Sequence, residues 1–481
     1  MSNTNEGQRR PQPSHANVVV LLVDEHNPRY ASIYGHPTVR TPNLERLAAR
    51  GTVYDACYAP SPLCRPCRSS FLSGRYVHET QAYNNSSVFA TSPRAFPSYG
   101  TILDRQGVHT VHIGKADAYA PTRELDFTEL DLAEDRRPPG DTSVSRHPLA
   151  IRNGGDGSNR AEGYGVRERP FAGDDRIVAS AIEWLTTTAP KLNAAGTPWT
   201  LVVNINKPHF PHLVTQELWD LYPNGGDLPR YGVNGGPNGE GKETANHPYA
   251  QDLRAHFGTA SFGEEQIRGL RRGYLGCVTA ADRQLGRLLD TLDKTGQTKE
   301  TVVAYSSDHG EMLGKWGMWW KCSLYEDSAR IPLVVAGPGF RAGVRSRTPV
   351  TLLDLQATLF RAVGGRRPSD WHGSPLQGLA LNDDRRVGFA EYHGHGTRSS
   401  GYLIRQGPWK LLYNSDGPHQ LFNLKDDPEE LTNQFSRQPG IAQRLTRELR
   451  TICDPEKENQ RAEAYIRRQS IATAGRPGRD Q

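Results

Sequence analysis

The strongest constraint on the fold comes from residues 17–23, where Asn17 is followed by six consecutive apolar residues and then by Asp24. A continuous apolar run is typical of a strand that is buried on both faces of a parallel sheet. A long amphipathic helix is predicted at residues 264–292. Other apolar segments that fit buried strands are residues 109–113, 199–204, 301–305 and 331–336. The alternation of strands and helices predicts an α/β fold with a mostly parallel central sheet covered on both faces.

The composition excludes several classes of protein. The 58 basic and 53 acidic side chains leave a net charge of +5 over 481 residues. This mild excess argues weakly for an anionic substrate and against a nucleic-acid binder. The longest apolar run is too short to cross a bilayer, and the first fifteen residues lack the apolar core of a secretory signal. We therefore expect a cytoplasmic protein without a membrane segment. Its six cysteines do not suggest a disulfide scaffold.

Polar, titratable side chains follow four of the predicted strands. They are Asp24, Lys115, His209 and the pair Asp308-His309. In open α/β sheets, catalytic groups collect beyond the carboxyl ends of the strands. Carboxylates, imidazoles and lysines that meet at one edge of a sheet can hold a divalent ion and an anionic ligand together. The strand ends therefore predict the position of the functional site.

The segment Cys64-Arg65-Pro66-Cys67-Arg68 carries the most specific motif. As Cys-x-x-Cys it fits a redox dithiol at the start of a helix. It also fits half of a zinc site, although no second Cys-x-x-Cys or paired histidine accompanies it. As Cys-x-Pro-x-Arg followed by Ser-Gly-Arg75, it resembles the signature of the type I sulfatases. In that family a maturation enzyme oxidises the cysteine to formylglycine, the catalytic aldehyde.

The resemblance extends over most of the chain and implies the family's fold, an alkaline-phosphatase-like α/β/α sandwich. The matching segments are Val23-Asp24, Thr41-Pro42-Asn43-Leu44, Gly114-Lys115, Pro208-His209-Phe210-Pro211, Ser307-Asp308-His309-Gly310-Glu311, Trp320-Lys321 and Asp426-Asp427-Pro428-Glu429. Within the family, the sequence is similar to choline-sulfatase-like and phosphonate-monoester-hydrolase-like members. The segments that favour these members are Asp308-His309, Ala82-Tyr83-Asn84-Asn85 and Glu391-Tyr392-His393-Gly394.

The resemblance implies roles for nine residues. The metal ligands are Asp24, Cys64, Asp308 and His309. The catalytic residues are Cys64 as the nucleophile, Arg68, Lys115, His209 and Lys321. The residues that bind the anionic part of the substrate are Asn85, Lys115, His209 and Lys321. Arg68 and Lys115 stabilise the nucleophile in this scheme, and either His209 or Lys321 protonates the leaving oxygen.

The implied cofactors are formylglycine derived from Cys64 and one divalent cation. Hard oxygen ligands favour Ca²⁺, and an imidazole shifts the preference towards Mn²⁺, so both ions stay open. The implied partners are a small anionic ester as substrate and the formylglycine-generating maturation enzyme. A hydrated aldehyde provides one hydroxyl that attacks sulfur and a second hydroxyl whose deprotonation releases sulfate. A serine or thiol lacks the second hydroxyl.

Two positions depart from the family pattern. Asp117 stands where the family often has a histidine that acts as a base after ester cleavage, and a carboxylate is a candidate for the same task. Glu25 stands where the family has a second aspartate, and it is predicted either to bind the metal or to orient a ligand. His78 is predicted to be structural. Residues 391–396 are predicted either to cover the pocket or to form an exposed turn, and Trp320 to pack in the core or to line the pocket.

The chain is predicted to contain two structural units. A catalytic domain covers residues 16–380, and closely spaced strands with turn residues between them predict a small antiparallel α+β subdomain at 381–460. A disordered N-terminus is expected at 1–15, and a basic tail at 461–481 that could reach a second copy in a homo-oligomer. Within the catalytic domain, two long segments rich in glycine, proline, arginine and asparagine are predicted to be functional or mobile loops. These segments are residues 135–170 and 223–247.

Four functions remain as hypotheses. The first is hydrolysis of sulfate esters. The second is hydrolysis of phosphonate monoesters or phosphodiesters in the same fold. The third is a thiol–disulfide oxidoreductase that uses Cys64 and Cys67, and the fourth is a binding module that keeps the fold without catalysis. The intact set of metal ligands and cations argues against the fourth hypothesis.

Overall fold

The computed structural model describes residues 15–86, 95–136, 140–152 and 158–474. The predicted disordered N-terminus lies, except for His15, outside the described residues. The strands are β1 Asn17–Asp24, β2 Gly51–Tyr54, β3 Cys57–Tyr58, β4 His109–Gly114, β5 Glu129–Asp131, β6 Tyr164–Val166, β7 Trp199–Pro208, β8 His212–Val214, β9 Thr301–Ser307, β10 Leu333–Ala336, β11 Val344–Ser346, β12 Val350–Thr351, β13 Val387–Tyr392, β14 Gly401–Gln406, β15 Trp409–Asn414 and β16 Gln420–Asn423.

Helices follow most of these strands. They are α1 Pro42–Ala49, α2 Cys64–Ser73, α3 Val77–Thr80, α4 Tyr99–Asp104, α5 Ser158–Ala161, α6 Ala172–Thr187, α7 Ala189–Ala195, α8 Gln216–Asp220, α9 Lys242–Ala245, α10 Pro248–Phe257, α11 Glu264–Lys294, α12 Glu326–Ala329, α13 Leu352–Ala362, α14 Pro439–Ile452 and α15 Pro455–Ala474. No helix in this part of the chain is both long and apolar enough to cross a membrane.

The central sheet has eight strands in the order β11-β2-β10-β9-β1-β7-β4-β5. Strand β1 lies at its centre and pairs in parallel with β7 and β9. The pairs β4–β7, β4–β5 and β11–β2 are also parallel. Strand β10 pairs antiparallel with β2 and β9. The sheet is therefore mostly parallel, as the sequence predicts.

The side chains of β1 alternate between two apolar layers. Val18, Val20 and Leu22 pack in one core with residues of α2, α4 and α13. Val19, Leu21 and Val23 pack in another core with residues of α1, α6 and α11. Successive side chains of a strand point to opposite faces, so a strand covered on both sides must be apolar throughout. The continuous apolar run at residues 18–23 has this cause, and the predicted α/β/α sandwich is confirmed.

A separate antiparallel sheet of four strands, β13-β14-β15-β16, forms the C-terminal subdomain. Helix α14 covers one face of this sheet through Ala442, Leu445 and Leu449. The chain beyond it differs from the predicted tail, because residues 461–474 belong to α15. Ala462 and Ile466 of α15 are buried. The composition of this helix is polar enough to resemble a tail, but its few apolar side chains recur on one face.

Candidate active site

Four neighbouring strands deliver the predicted polar side chains to one edge of the sheet. Asp24 ends β1, and Asp308 and His309 follow β9. Lys115 follows β4, and His209 follows β7. Because these strands are parallel neighbours, their carboxyl ends lie side by side. These side chains therefore meet at one edge of the sheet, as the strand ends predict.

Four potential ligands of a metal ion meet at this edge. Atoms of Asp24, Cys64, Asp308 and His309 all lie within 4.8 Å of one another, and all four residues are buried. Cys64 enters this group because it is the first residue of α2. Its Sγ lies 3.2 Å from Nε2 of His309 and 3.9 Å from Oδ1 of Asp24. The four ligands that the family resemblance implies are thus brought together.

The tautomer of His309 suits a metal ligand. Its Nδ1 lies 3.1 Å from the carbonyl oxygen of Gly310, which can only accept a hydrogen bond. Nδ1 therefore donates there, which leaves Nε2 as the ring nitrogen that faces the other three potential ligands. That atom lies 3.5 Å from Oδ1 of Asp24 and 3.6 Å from Oδ1 of Asp308. A carbonyl that fixes the ring in this way is common around metal-binding histidines.

Arg68 orients the carboxylate of Asp308. Its Nε donates to Oδ2 of Asp308 at 2.8 Å. One terminal nitrogen donates to Oδ1 of Asn204 at 3.0 Å and to the carbonyl oxygen of Lys115 at 3.1 Å. The side chain of Arg68 is only 2% exposed. Its hydrogen bonds to Asn204 and Lys115 fix the guanidinium beside the carboxyl ends of β4 and β7, where it holds the Asp308 carboxylate.

Lys115 forms an ion pair with Asp24. Burial raises the pKa of Asp24, but Lys115 and Arg68 outweigh burial and hold the pKa well below its usual range. Asp24 is therefore an anion when no cation occupies the site. The charge of Lys115 also reaches Cys64. Burial and Asp24 raise the pKa of the Cys64 thiol, but Lys115, Lys321 and His309 bring it down to about 7.

Lys321 and His209 form a hydrogen-bonded pair opposite Glu25. The Nζ of Lys321 lies 2.5 Å from Nε2 of His209 and 3.3 Å from the Glu25 carboxylate. Nδ1 of His209 lies 2.8 Å from the carbonyl oxygen of Phe210, so it donates there and Nε2 accepts from Lys321. Burial and the Lys321 ammonium hold the pKa of His209 well below its usual range. His209 is thus neutral, and Lys321 carries the charge.

Glu25 lies beside the group of four ligands. Its backbone N–H donates to Oδ1 of Asp308 at 3.2 Å. Its carboxylate lies 3.4 Å from Nε2 of His209 and 3.3 Å from Lys321. Asp24, Glu25 and His209 also form a second set of mutually close ligand atoms. In this arrangement the Glu25 carboxylate contacts Lys321 and His209, and its two predicted roles, metal ligand or orienting residue, stay predictions.

Asp117 is enclosed by three cations. It forms an ion pair with Arg136, and its carboxylate lies 3.6 Å from Nζ of Lys115 and 3.7 Å from Nε of Arg65. Burial raises the pKa of Asp117, but Arg136 and Lys115 outweigh burial and hold it far below its usual range. A carboxylate held in this way is a weak base, so it is a poor substitute for the histidine of the family pattern.

A cavity of about 620 Å³ opens above these residues. Asp24, Lys115, His209 and Lys321 lie on its wall, together with Asn85. Oδ1 of Asn85 accepts from the backbone N–H of Arg65 at 3.0 Å, which places Asn85 next to the start of α2. The cavity therefore brings the four predicted anion-binding residues to one space.

The structure also shows where the histidines and the tryptophan considered above lie relative to the cavity. His78 is structural, because its Nδ1 lies 3.0 Å from the Glu391 carboxylate away from the cavity. His393 is fully buried against the same carboxylate, at 2.8 Å. His395 and Trp320, by contrast, lie on the cavity wall. The segment 391–396 is therefore divided between the core and the pocket.

Sequence reasoning missed several residues of the site. Asn204, which accepts from Arg68, is inside β7 and could have been found from its place near the end of a buried strand. Arg136, Asp141 and Arg152 come from the predicted loop at residues 135–170 and line the cavity. No motif marks them, because their role depends on how the loop folds back over the sheet. The expectation that this segment is functional, however, agrees with its place in the pocket wall.

Fold and site together define a class of enzyme. A buried cysteine thiol lies beside carboxylates and an imidazole, and two lysines line the adjacent cavity at the carboxyl edge of a parallel sheet. Such an arrangement suits hydrolysis of an ester whose acid part is an anion, because fixed cations stabilise the charge of the transition state.

Comparisons with known proteins identify the family. The sulfatase family model matches residues 16–365, and the model described as N-sulphoglucosamine sulphohydrolase, C-terminal, matches residues 314–454. The chain therefore belongs to the sulfatase family, as its resemblance predicts. It is an enzyme that hydrolyses sulfate esters.

Three similar proteins illustrate the relationship. A choline-sulfatase of Rhizobium meliloti (strain 1021) is 30% identical over 449 residues, covering 89% of this chain and 84% of that protein. An arylsulfatase K of Danio rerio is 27% identical over 501 residues, covering 95% of this chain and 87% of that protein. The structure of the phosphonate monoester hydrolase of Agrobacterium radiobacter has a TM-score of 0.71 at 20% identity, covering 91% of this chain and 95% of that one. The last comparison shows a shared fold.

Proposed function

We propose that Cys64, after oxidation to formylglycine, is the nucleophile of sulfate ester hydrolysis, and that one divalent cation lies beside it. The observation that carries the proposal is the cluster of Asp24, Cys64, Asp308 and His309, whose ligand atoms lie within 4.8 Å of one another. The Sγ atom of Cys64 stands in the structure for the oxygen that the converted residue would carry. The motif around Cys64 and the family of the chain support the same assignment.

The residues of the cluster fit a divalent cation. Two carboxylates and an imidazole nitrogen point to one buried space, and hard oxygen ligands with one imidazole suit Ca²⁺ or Mn²⁺. Asp24, Asp308 and His309 would hold the ion together with the converted Cys64. When bound, the cation supplies a positive charge that lowers the pKa of a bound hydroxyl and stabilises developing negative charge. The ion also compensates the two buried carboxylates.

Formylglycine supplies a hydrated aldehyde, in which one hydroxyl is the nucleophile and the second allows the sulfate to be released by loss of its proton. The chain positions this group at the first residue of α2. The N-terminus of a helix favours negative charge. The bias of the site towards an anionic side chain is visible in the Cys64 thiol, whose pKa is lowered to about 7 although the thiol is buried.

The cations of the cavity would bind the sulfate group. Lys321 is buried and Lys115 is partly buried, and both carry a positive charge on the cavity wall. Asn85 adds a side-chain amide at the same wall. Charges held in a cavity of this kind need no reorganisation when the transition state forms. The sulfate oxygens are therefore held by Lys115, Lys321 and Asn85. His209 contributes by accepting a hydrogen bond from Lys321.

The proton for the leaving alcohol would come from the pair of Lys321 and His209. Neutral His209 has its proton on Nδ1, which donates to a backbone carbonyl. Its Nε2 accepts from the Lys321 ammonium at 2.5 Å. The ammonium thus holds the proton that can be passed on, either directly or through Nε2. Of the two acids that the resemblance implies, Lys321 is therefore the primary source.

Maturation involves a partner enzyme that reaches the Cys64 segment. In the folded chain Cys64 is fully buried, with 0% of its surface exposed. The formylglycine-generating enzyme would therefore act before this part of the chain is packed. The other predicted partner is the substrate, a small anionic ester. A cavity of about 620 Å³ has room for such a molecule.

The proposal is tested by assaying protein that is produced together with a formylglycine-generating enzyme. Nitrophenyl sulfate and choline sulfate are suitable first substrates, and the second is suggested by the name of the Rhizobium meliloti relative. Release of inorganic sulfate is expected from the parent protein and not from the Cys64→Ala variant. Equal sulfate release by parent and variant would rule out Cys64 as the nucleophile.

Hydrolysis of phosphonate monoesters is the second candidate for the same site. The fold shared with the Agrobacterium radiobacter enzyme supports it. A phosphonate monoester is also an anion, and the cations of the cavity do not distinguish the two acids by charge sign. A comparison of kcat/KM for nitrophenyl sulfate and nitrophenyl phenylphosphonate decides between them. We expect the sulfate ester to be the better substrate.

The dithiol hypothesis has little support in the geometry. Cys67 is buried among apolar side chains of the core. Burial and the Asp308 carboxylate raise the pKa of the Cys67 thiol well above its usual range. A resolving cysteine needs access and thiolate character. Cys67→Ser is therefore expected to keep sulfate ester hydrolysis.

A further inference from the structure

The cavity contains a second polar cluster that the proposed chemistry does not use. It consists of Asp141 and Arg152 from the segment at residues 135–170 and His395 from the C-terminal subdomain, and all three lie on the cavity wall. Asp141 forms an ion pair with Arg152. Arg152 lies 3.4 Å from Nε2 of His395, and Oδ2 of Asp141 lies 3.5 Å from Nδ1 of His395.

His395 has an unused donor. Its Nε2 faces the Arg152 guanidinium, which can only donate, so Nε2 accepts and Nδ1 carries the proton. His395 is 2% exposed. Nδ1 nevertheless has no hydrogen-bond partner among the described residues. A buried donor that lacks a hydrogen bond is unfavourable, and the nearby Oδ2 of Asp141, at 3.5 Å, does not satisfy it. A ligand that reaches Nδ1 from the cavity would complete the arrangement.

Asp141 has unused capacity as an acceptor. Its ion pair with Arg152 occupies Oδ1, whereas an ionised carboxylate offers about four acceptor positions. Its side chain is 19% exposed within the cavity. The backbone N–H of Asp141 donates to the carbonyl oxygen of Asn85 at 3.3 Å. The second cluster is therefore tied directly to a residue that is predicted to bind the sulfate group.

Aromatic side chains border the cluster. The guanidinium of Arg152 lies over the Phe257 ring at 5.1 Å. The rings of Phe257 and Trp320 are 5.2 Å apart, and both lie on the cavity wall. The second cluster thus combines a donor, an acceptor and an apolar surface within one pocket.

We propose that Asp141, Arg152 and His395 form the site that binds the alcohol part of the substrate, and that this alcohol is a ring carrying several hydroxyl groups, as in a saccharide. The inference rests on the proposed function of the same cavity. A hydroxyl group both donates and accepts, so neighbouring hydroxyls can donate to Asp141 and accept from His395 and Arg152. The carbon face of such a ring can pack against Phe257 or Trp320.

Other alcohols match the cluster less well. A quaternary ammonium group, as in choline, makes no hydrogen bonds, and the carboxylate of the cluster, Asp141, is already paired with Arg152. A plain aromatic alcohol would leave the donor of His395 and the free acceptor positions of Asp141 unpaired. Buried polar groups that are left unpaired are the usual cause of strong discrimination against a substrate.

The test compares matched substrates with holoenzyme produced together with a formylglycine-generating enzyme. The substrates are a set of glucose and galactose monosulfates, the sulfates of cyclohexanol and cyclohexylmethanol as rings without further hydroxyls, and choline sulfate. We expect kcat/KM for the best sugar sulfate to exceed that for the cyclohexyl esters by about 100-fold or more. A ratio near one, or a preference for choline sulfate, overturns the inference while leaving sulfate ester hydrolysis intact.

Variants then test whether the preference for sugar sulfates depends on the cluster of Asp141, Arg152 and His395. His395→Phe removes the donor and keeps a ring, and Asp141→Asn removes the charge at constant size. Each is expected to lower the ratio of kcat/KM for sugar and cyclohexyl sulfates at least tenfold. Arg398→Gln is the matched control, because Arg398 lies nearby in the sequence with a side chain that is 53% exposed and is paired with Asp252.

Three results decide the outcome. An unchanged ratio in folded His395→Phe overturns the inference, even if Asp141→Asn fails to fold. A fall of the ratio in Arg398→Gln as large as that in His395→Phe also overturns it, because the effect would then not be specific to the cluster. Failure of the parent holoenzyme to release sulfate from any ester instead overturns the proposed function, and the inference with it.

Discussion

At the scale of single residues, the site consists of buried charges that depend on one another. Arg68 pairs with Asp308 and Lys115 pairs with Asp24, and each of these side chains is at most 17% exposed. Removing one member of a buried pair leaves the other charge without compensation. Substitutions at these positions therefore change both binding and stability, and conservative variants are needed to separate the two effects.

Replacing Lys321 with alanine is expected to lower kcat/KM for sulfate esters by about 10²–10³-fold. The reason is that the variant loses one fixed cation of the anion site and the proton shared with His209. Steady-state kinetics of the mature enzyme measure the effect. Lys299→Ala is a control of the same chemistry at an exposed position, and it should leave kcat/KM unchanged. Activity of Lys321→Ala close to that of the parent would remove Lys321 from the mechanism.

Chelation of divalent cations is expected to abolish activity, because Asp24, Asp308 and His309 would lose the charge that they surround. Adding Ca²⁺ or Mn²⁺ back should restore it, and the more effective ion identifies the cofactor. In Asp308→Asn, metal analysis should show less bound ion per protein, since one ionic ligand has become neutral. Full activity after prolonged dialysis against a chelator, with no metal detected, would contradict a metal site.

At the scale of elements, the differences between expected and observed bounds have local causes. Strand β7 extends to Pro208, although the apolar pattern predicts an end at residue 204. The polar residues Asn206 and Lys207 stay in the strand because their backbone N–H groups donate to Asp174 at 2.8 and 3.0 Å. A pattern of apolar residues cannot contain this information, because Asp174 belongs to a different element, α6.

Helix α15 allows a test of whether residues 461–474 are folded. Ile466 is 1% exposed, so Ile466→Ala is expected to lower the free energy of unfolding by about 2–4 kcal/mol. Arg467, the next residue, has a side chain that is 72% exposed. Arg467→Ala should therefore change the free energy by less than about 0.5 kcal/mol. Chemical denaturation measures both variants, and equal small effects would mean that residues 461–474 behave as the predicted tail.

The contact between α3 and β13 should make stability depend on pH. Burial lowers the pKa of His78, but Glu391 outweighs burial and raises it to about 9, whereas an unfolded histidine has a pKa of about 6.5. The stabilisation from protonated His78 is therefore complete below about pH 6.5 and is lost as the pH rises through 9. We expect the difference in Tm between the parent and His78→Gln to be larger at pH 6 than at pH 10. The same difference at both pH values would contradict the assignment.

At the scale of the whole molecule, the sequence predicts the central sheet and the polar residues at its edge. It does not predict which residues from distant segments meet them there. The apolar strands and the polar residues that follow them were sufficient to predict the α/β/α sandwich and the place of Asp24, Lys115 and Asp308-His309. The pair of Arg152 and His395, by contrast, joins positions that are 243 residues apart. Such a contact depends on how the loop and the subdomain pack, and no local pattern records it.

The central claim is that Cys64 is converted to formylglycine beside a metal ion. Mass spectrometry of the peptide that contains Cys64 tests it most directly, with protein produced together with a formylglycine-generating enzyme. The account predicts a peptide in which one sulfur and two hydrogens are replaced by one oxygen, and which reacts with an aldehyde-specific reagent. An unmodified Cys64 thiol in protein that nevertheless hydrolyses sulfate esters would contradict it.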